Sequence, residues 1–100
     1  MSHHYPRFEA GQPMPVKGIV RMQIGFHGRI AAPFSGAANV EVSMNGLAVS
    51  GLRALLASQY NVDAILHRSV RAAVNDEIVP EDYVIRPGDT VEFMSPVSGG

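Results

Sequence analysis

One hundred residues, 46% of them hydrophobic and 17% charged, describe one modest globular domain and exclude both a two-domain enzyme and wholesale disorder. The absence of cysteine excludes a disulfide framework, a zinc-thiolate site, an iron–sulfur cluster and thiol nucleophile chemistry. A formal net charge of −1 gives no electrostatic case for binding nucleic acid.

In chain order, residues 1–17 hold His3, His4, Pro6, Gly11, Pro13 and Pro15 with few apolar anchors, and they read as a flexible N-terminal arm outside the core. They lack the apolar core of a signal peptide, and no apolar run in the chain approaches the roughly 20 residues of a membrane span, so a cytoplasmic protein without a membrane partner is expected. From Gly18 the pattern changes. Val20, Met22, Ile24 and Phe26 alternate with Arg21, Gln23 and Gly25, the period of a half-buried strand. His27, Gly28 and Arg29 supply a turn. A looser stretch through Pro33, Ser35 and Gly36 leads to a second alternating run, with Val40, Val42 and Met44 facing one way and Glu41 and Ser43 the other, closed by Asn45-Gly46.

Between Val49 and Tyr60 the period becomes helical, since Val49, Leu52, Leu55, Leu56 and Tyr60 recur at spacings of three and four and make one apolar face. Ala48 stands where a capping Ser or Thr is usual, with Asn45 or Ser50 as substitutes. Gly51 falls in the first turn, where its low helix propensity matters least. Val62, Ile65 and Leu66 fit a short helical turn. Residues 70–74 read as a third strand that ends at the turn pair Asn75-Asp76, before Ile78 and Val79. Arg86-Pro87-Gly88-Asp89 sets a tight turn, with proline pre-forming its first central position and glycine free to take positive φ. Residues 90–94 form the last strand, with Val91 and Phe93 facing the core.

Two hairpins flanking a helix, with the first and last strands parallel at the sheet centre, satisfy the right-handed crossover rule. This α+β order is that of a β-grasp, or ubiquitin-like, domain: residues 18–94 as a mixed sheet of four to five strands packed on one main helix. Residues 95–100 follow as an extended tail. Pro96 stops the ladder, and the closing Gly99-Gly100 has no side chains. Such a backbone can enter a channel too narrow for a Cβ and present its carboxylate inside another protein.

The ending from Val91 to Gly100, preceded by Arg86-Pro87-Gly88-Asp89 and Ala72-Ala73-Val74-Asn75, resembles the C-terminal half of the MoaD/ThiS sulfur carriers, and Pro96-Val97-Ser98-Gly99-Gly100 is more similar to MoaD, the small subunit of molybdopterin synthase. The arm and Ser95, which stands where a second proline is common, depart from the pattern. The resemblance implies a protein that is not catalytic alone. A partner adenylating enzyme of the MoeB/ThiF type would supply ATP and Mg²⁺, the Gly100 carboxylate would be adenylated, and a sulfur donor would convert it to a thiocarboxylate. That sulfur would pass to the precursor in a MoaE-type large subunit. Val97, Ser98 and Gly99, with Pro96, Met94 and Phe93, would meet the partners; Phe93 reads as core and Met94 as the exposed apolar contact. The missing cysteine is consistent with sulfur held on the terminus. Two other readings stay open: a carrier for thiamine, tRNA thiolation or another thio-metabolite, and a ubiquitin-like modifier or non-covalent binding module.

The charges are unevenly placed. Residues 1–75 hold seven Lys and Arg against three carboxylates, whereas residues 76–100 hold six carboxylates against Arg86 alone, an acidic end that reads most commonly as a solvated loop and sheet edge and alternatively as a surface that steers toward a basic partner. Arg71 and Arg86 are candidates for cross-interface pairs, although single surface arginines are usually just solvated. His3 in third position has the spacing of a square-planar Cu(II) or Ni(II) site with the amino terminus, but chance placement in an arm is by far the commoner origin of that pattern. His27 and His67 have no partner at metal-ligand spacing, and no metal site is expected. Lys17 is the only lysine, which leaves almost no acceptor for self-conjugation.

Overall fold

The computed structural model describes residues 18–96. Strand β1 (Ile19–His27) pairs antiparallel with β2 (Ala37–Ser43) and parallel with β7 (Val91–Met94). On the other side of β7 lie β4 (Arg71–Val74) and β5 (Glu77–Val79), both joined antiparallel. The five-stranded order is therefore β2-β1-β7-β4-β5, with the first and last strands parallel at its centre. A short ladder of β3 (Leu47–Ala48) with β6 (Val84–Ile85) stands apart. One face of the large sheet packs on helix α2 (Val49–Tyr60). This is the β-grasp architecture.

The alternation in β1 and β2 sets which side chains enter the core. Met22, Ile24 and Phe26 are buried from β1, and Ala38, Val40 and Val42 from β2, against Val49, Leu52 and Leu56 of α2. Met44 does not continue this series. It is 55% exposed, because β2 ends at Ser43. There the Asn45 amide donates to Ser43 Oγ at 3.0 Å and the Gly46 amide to the Ser43 carbonyl at 2.9 Å, so the turn begins at Ser43, and although the Met44 amide still donates to the Gly18 carbonyl at 2.6 Å, its side chain lies beyond the core.

A second difference lies between β1 and β2. His27 belongs to the strand, and the expected loose stretch is a 3₁₀ turn (Gly28–Ile30) running into helix α1 (Ala31–Phe34). It adds Ile30 and Phe34 to the core. The Phe34 ring stacks on Phe26 with centroids 4.0 Å apart and meets Tyr60 edge-on at 5.4 Å, so this connection between antiparallel neighbours closes one end of the core.

Helix α2 starts at Ala48 with no side-chain cap, and neither Asn45 nor Ser50 substitutes for one. The loop before β6 does so instead. The Val49 amide donates to the Tyr83 carbonyl and the Ser50 amide to the Glu81 carbonyl, each at 3.0 Å, which satisfies two of the amides a helix start leaves open. At the other side of the sheet, Asn75 and Asp76 both take positive φ in the two-residue β4–β5 turn, the geometry that matches strand twist. Asn75 also reaches the Arg86–Asp89 turn: its Oδ1 accepts from the Thr90 amide at 3.0 Å and its Nδ2 donates to Asp89 Oδ1 at 3.1 Å. Gly88 in that turn has φ +96°, as the proline-glycine pair requires. Both contacts fix where β7 begins.

The root of the C-terminal tail

Strand β7 sits between β1 and β4, so the chain reaches its C-terminal segment from the middle of the sheet. Phe93 is fully buried. It therefore offers no surface to a partner, and its place among the expected contact residues is corrected: it anchors the strand. Met94, one residue on, is half-buried on the opposite face, flanked in register by His27 of β1 and Arg71 of β4. This row puts an apolar side chain between an imidazole and an exposed guanidinium at the edge from which the chain leaves. His27 Nε2 lies 3.1 Å from Glu92 Oε2 across the same face.

Ser95 follows the strand and is held twice. Its amide donates to the His27 carbonyl at 3.1 Å, and its Oγ accepts from the Ile30 amide at 3.0 Å. Gly28 makes this approach possible. Its φ is +79°, and a Cβ built there would stand 2.6 Å from the Ser95 carbonyl oxygen and 2.7 Å from its Oγ. Pro96 is exposed. The remaining expected contact residues, Val97, Ser98, Gly99 and Gly100, lie outside the described residues, as do the arm of residues 1–17 and His3. Beside Ser95 a shallow groove of about 310 Å³ is lined by Arg29, Ile30, Pro33, His67 and Val70.

Beneath the root, Arg53 is a buried cation that helical periodicity alone does not reveal, since it occupies the flank of the apolar face of α2. Its Nε and Nη2 donate to the two carboxylate oxygens of Glu81 at 2.8 Å each, Nη1 donates to the Ile65 carbonyl at 2.7 Å, and Nη2 also donates to the Val70 carbonyl. The guanidinium lies 5.2 Å from the centre of the Phe93 ring. One side chain thus joins α2, the 3₁₀ turn Asp63–Leu66, the start of β4, the loop before β6 and the core residue of β7.

The acidic end is partly spent on folding. Glu81 binds Arg53, Asp89 Oδ2 accepts from the Arg86 amide at 2.8 Å, and Glu92 meets His27. The exposed carboxylates without such contacts among the described residues are Asp76, Glu77 and Asp82. Arg86 Nη1 donates to the Asn45 carbonyl at 3.4 Å, which ties it to the β2–β3 turn, while Arg71 stands next to Met94. His67 Nδ1 accepts from the Ser69 amide at 3.0 Å and closes a local turn. Among the described residues no three His, Asp or Glu side chains are grouped to hold a metal ion, and no helix is long and apolar enough to cross a membrane.

The model of the ThiS family matches residues 30–100. Several solved structures share the fold. Small archaeal modifier protein 1 of Haloferax volcanii superposes with a TM-score of 0.65 at 15% identity, over 77% of this chain and 98% of that one. The protein HVO 2177 of the same organism gives 0.67 at 17% identity, over 95% and 100%. A chain in the complex of subunits 1 and 2 of the molybdopterin-converting factor from Helicobacter pylori gives 0.54 at 23% identity, over 81% and 100%. No curated protein sequence matches the chain.

Proposed function

Because the chain belongs to the ThiS family of β-grasp, ubiquitin-like carriers and modifiers, we propose that it is a sulfur carrier activated at the carboxylate of Gly100. The observation that supports this best is the placement of β7. A central strand runs directly into a six-residue segment ending in Gly-Gly, and the family match extends to that last residue. In the proposed chemistry the Gly100 carboxylate oxygen attacks the α-phosphorus of ATP and expels pyrophosphate. Sulfide then attacks the acyl carbon, AMP leaves, and a thiocarboxylate remains. ATP and Mg²⁺ belong to a partner adenylating enzyme of the MoeB/ThiF type. This chain contributes the substrate carboxylate, a narrow backbone to deliver it, and the surface around Met94, Arg71 and Pro96 for docking.

The destination of the sulfur divides the reading. The ending Pro96-Val97-Ser98-Gly99-Gly100 favours the small subunit of molybdopterin synthase, with a MoaE-type large subunit as acceptor, and the fold shared with a subunit of the Helicobacter pylori molybdopterin-converting factor is compatible with it. The fold shared with small archaeal modifier protein 1 is equally compatible with a broader role, as carrier for another thio-metabolite or as a modifier. The broader role is the better supported, since the family match does not separate these branches. Substitution tests the activation step. Gly99→Val adds a branched side chain where the tail must enter a narrow channel, so pyrophosphate exchange by the adenylating enzyme should be lost while the circular dichroism spectrum is kept. Normal exchange by Gly99→Val contradicts the proposal.

A further inference from the structure

We infer that Ser95 is a positioning residue that fixes the point and direction from which the reactive tail leaves the domain, an inference that rests on the carrier reading above. Three independent features converge on it. The His27 carbonyl receives its amide, the Ile30 amide donates to its hydroxyl, and Gly28 clears the space between them. The first bond extends the β1–β7 contact one residue past Met94; the second joins the tail root to the 3₁₀ turn that follows β1. Neither is needed to end the strand, because Pro96 cannot continue a ladder. A proline at position 95 would have neither the amide hydrogen nor the hydroxyl.

The consequence is geometric. With Ser95 anchored, the five residues 96–100 reach at most about 18 Å, measured from a fixed origin. A partner then meets a tail whose root is already ordered, and less freedom is lost on docking. Such preorganisation acts on binding in the ground state and the transition state alike, so it lowers KM for the carrier and leaves kcat unchanged. A merely structural bond would alter the folded fraction and leave the KM of the folded carrier where it is.

The test uses the full chain with a MoeB/ThiF-type adenylating enzyme, ATP and pyrophosphate exchange, at varied carrier concentration. Ser95→Ala should raise KM roughly three- to ten-fold at constant kcat, the range expected for one lost hydrogen bond. Ser95→Thr, which retains the hydroxyl, should restore KM, and hydrogen exchange at the Ile30 amide should be faster in the alanine variant alone. Gly28→Ala displaces Ser95 from the opposite side and should raise KM as well. A folded Ser95→Ala or Gly28→Ala protein with the KM of the wild type overturns the inference while wild-type adenylation still supports the carrier reading. A wild-type chain that is never adenylated overturns the carrier reading and this inference with it.

Discussion

Arg53 and Glu81 form a two-pronged ion pair, with Nε and Nη2 of the guanidinium each 2.8 Å from a different carboxylate oxygen. The arginine side chain is 7% exposed and the glutamate 53%, so the pair joins a buried cation to a carboxylate that water still reaches. Two further arginine protons go to the carbonyls of Ile65 and Val70, and the guanidinium carbon lies over the Phe93 ring. Removing either partner has different consequences.

Arg53→Ala leaves two buried carbonyls without a donor and uncovers one side of Phe93. A loss of about 2–4 kcal/mol in unfolding free energy is expected by urea titration. Arg53→Lys should recover little of it, since an ammonium on a flexible stem cannot place four hydrogen bonds in one plane. Glu81→Gln should cost less than Arg53→Ala, because the arginine keeps both carbonyls and the amide oxygen can still accept.

Gly28 and Gly36 permit a controlled comparison. Both have positive φ, +79° and +91°, but a Cβ at Gly36 meets nothing within 4 Å, whereas one at Gly28 strikes the Ser95 backbone. Gly36→Ala therefore carries only the cost of the left-handed backbone, about 1 kcal/mol. Gly28→Ala should lose at least about 1 kcal/mol more in thermal or urea unfolding. Equal losses in the two variants would contradict the close approach at the tail root.

Helix α2 should gain little from a conventional cap. Ala48→Ser adds an acceptor at the N-cap, a position where such a group is usually worth about 1 kcal/mol. Here the Tyr83 and Glu81 carbonyls already hold the Val49 and Ser50 amides. The expected gain is below about 0.5 kcal/mol, read from the midpoint of a urea titration. A gain of the full usual size would show that the loop carbonyls do not serve the helix.

These contacts also mark the boundary of what residue order can reveal. Strand β1, helix α2 and the Arg86–Asp89 turn are legible because their signals are local: alternation, a three-four spacing, and a proline-glycine pair. The connection after β1 is not, since Phe34 packs between Phe26, eight residues before it, and Tyr60, 26 residues after it, and a run of Ala, Pro and Gly has no period. Met44 misleads for the opposite reason: it keeps the period of β2 after a serine has begun the turn. The family is legible in the tail, where Gly99 and Gly100 matter by what they lack, and the branch within it is not. Arg53 and Ser95 are invisible to periodicity because each acts through partners brought together by the sheet, 28 residues away for Glu81 and 65 for Ile30.

The central claim is that Gly100 is the site where sulfur is carried. Intact-mass spectrometry of the full chain, after incubation with a MoeB/ThiF-type adenylating enzyme, ATP, Mg²⁺ and sulfide, tests it most directly. The account predicts a gain of about 16 Da, one oxygen replaced by sulfur, placed by fragmentation on the C-terminal glycine. An unchanged mass, or a gain located anywhere else in the chain, would contradict it.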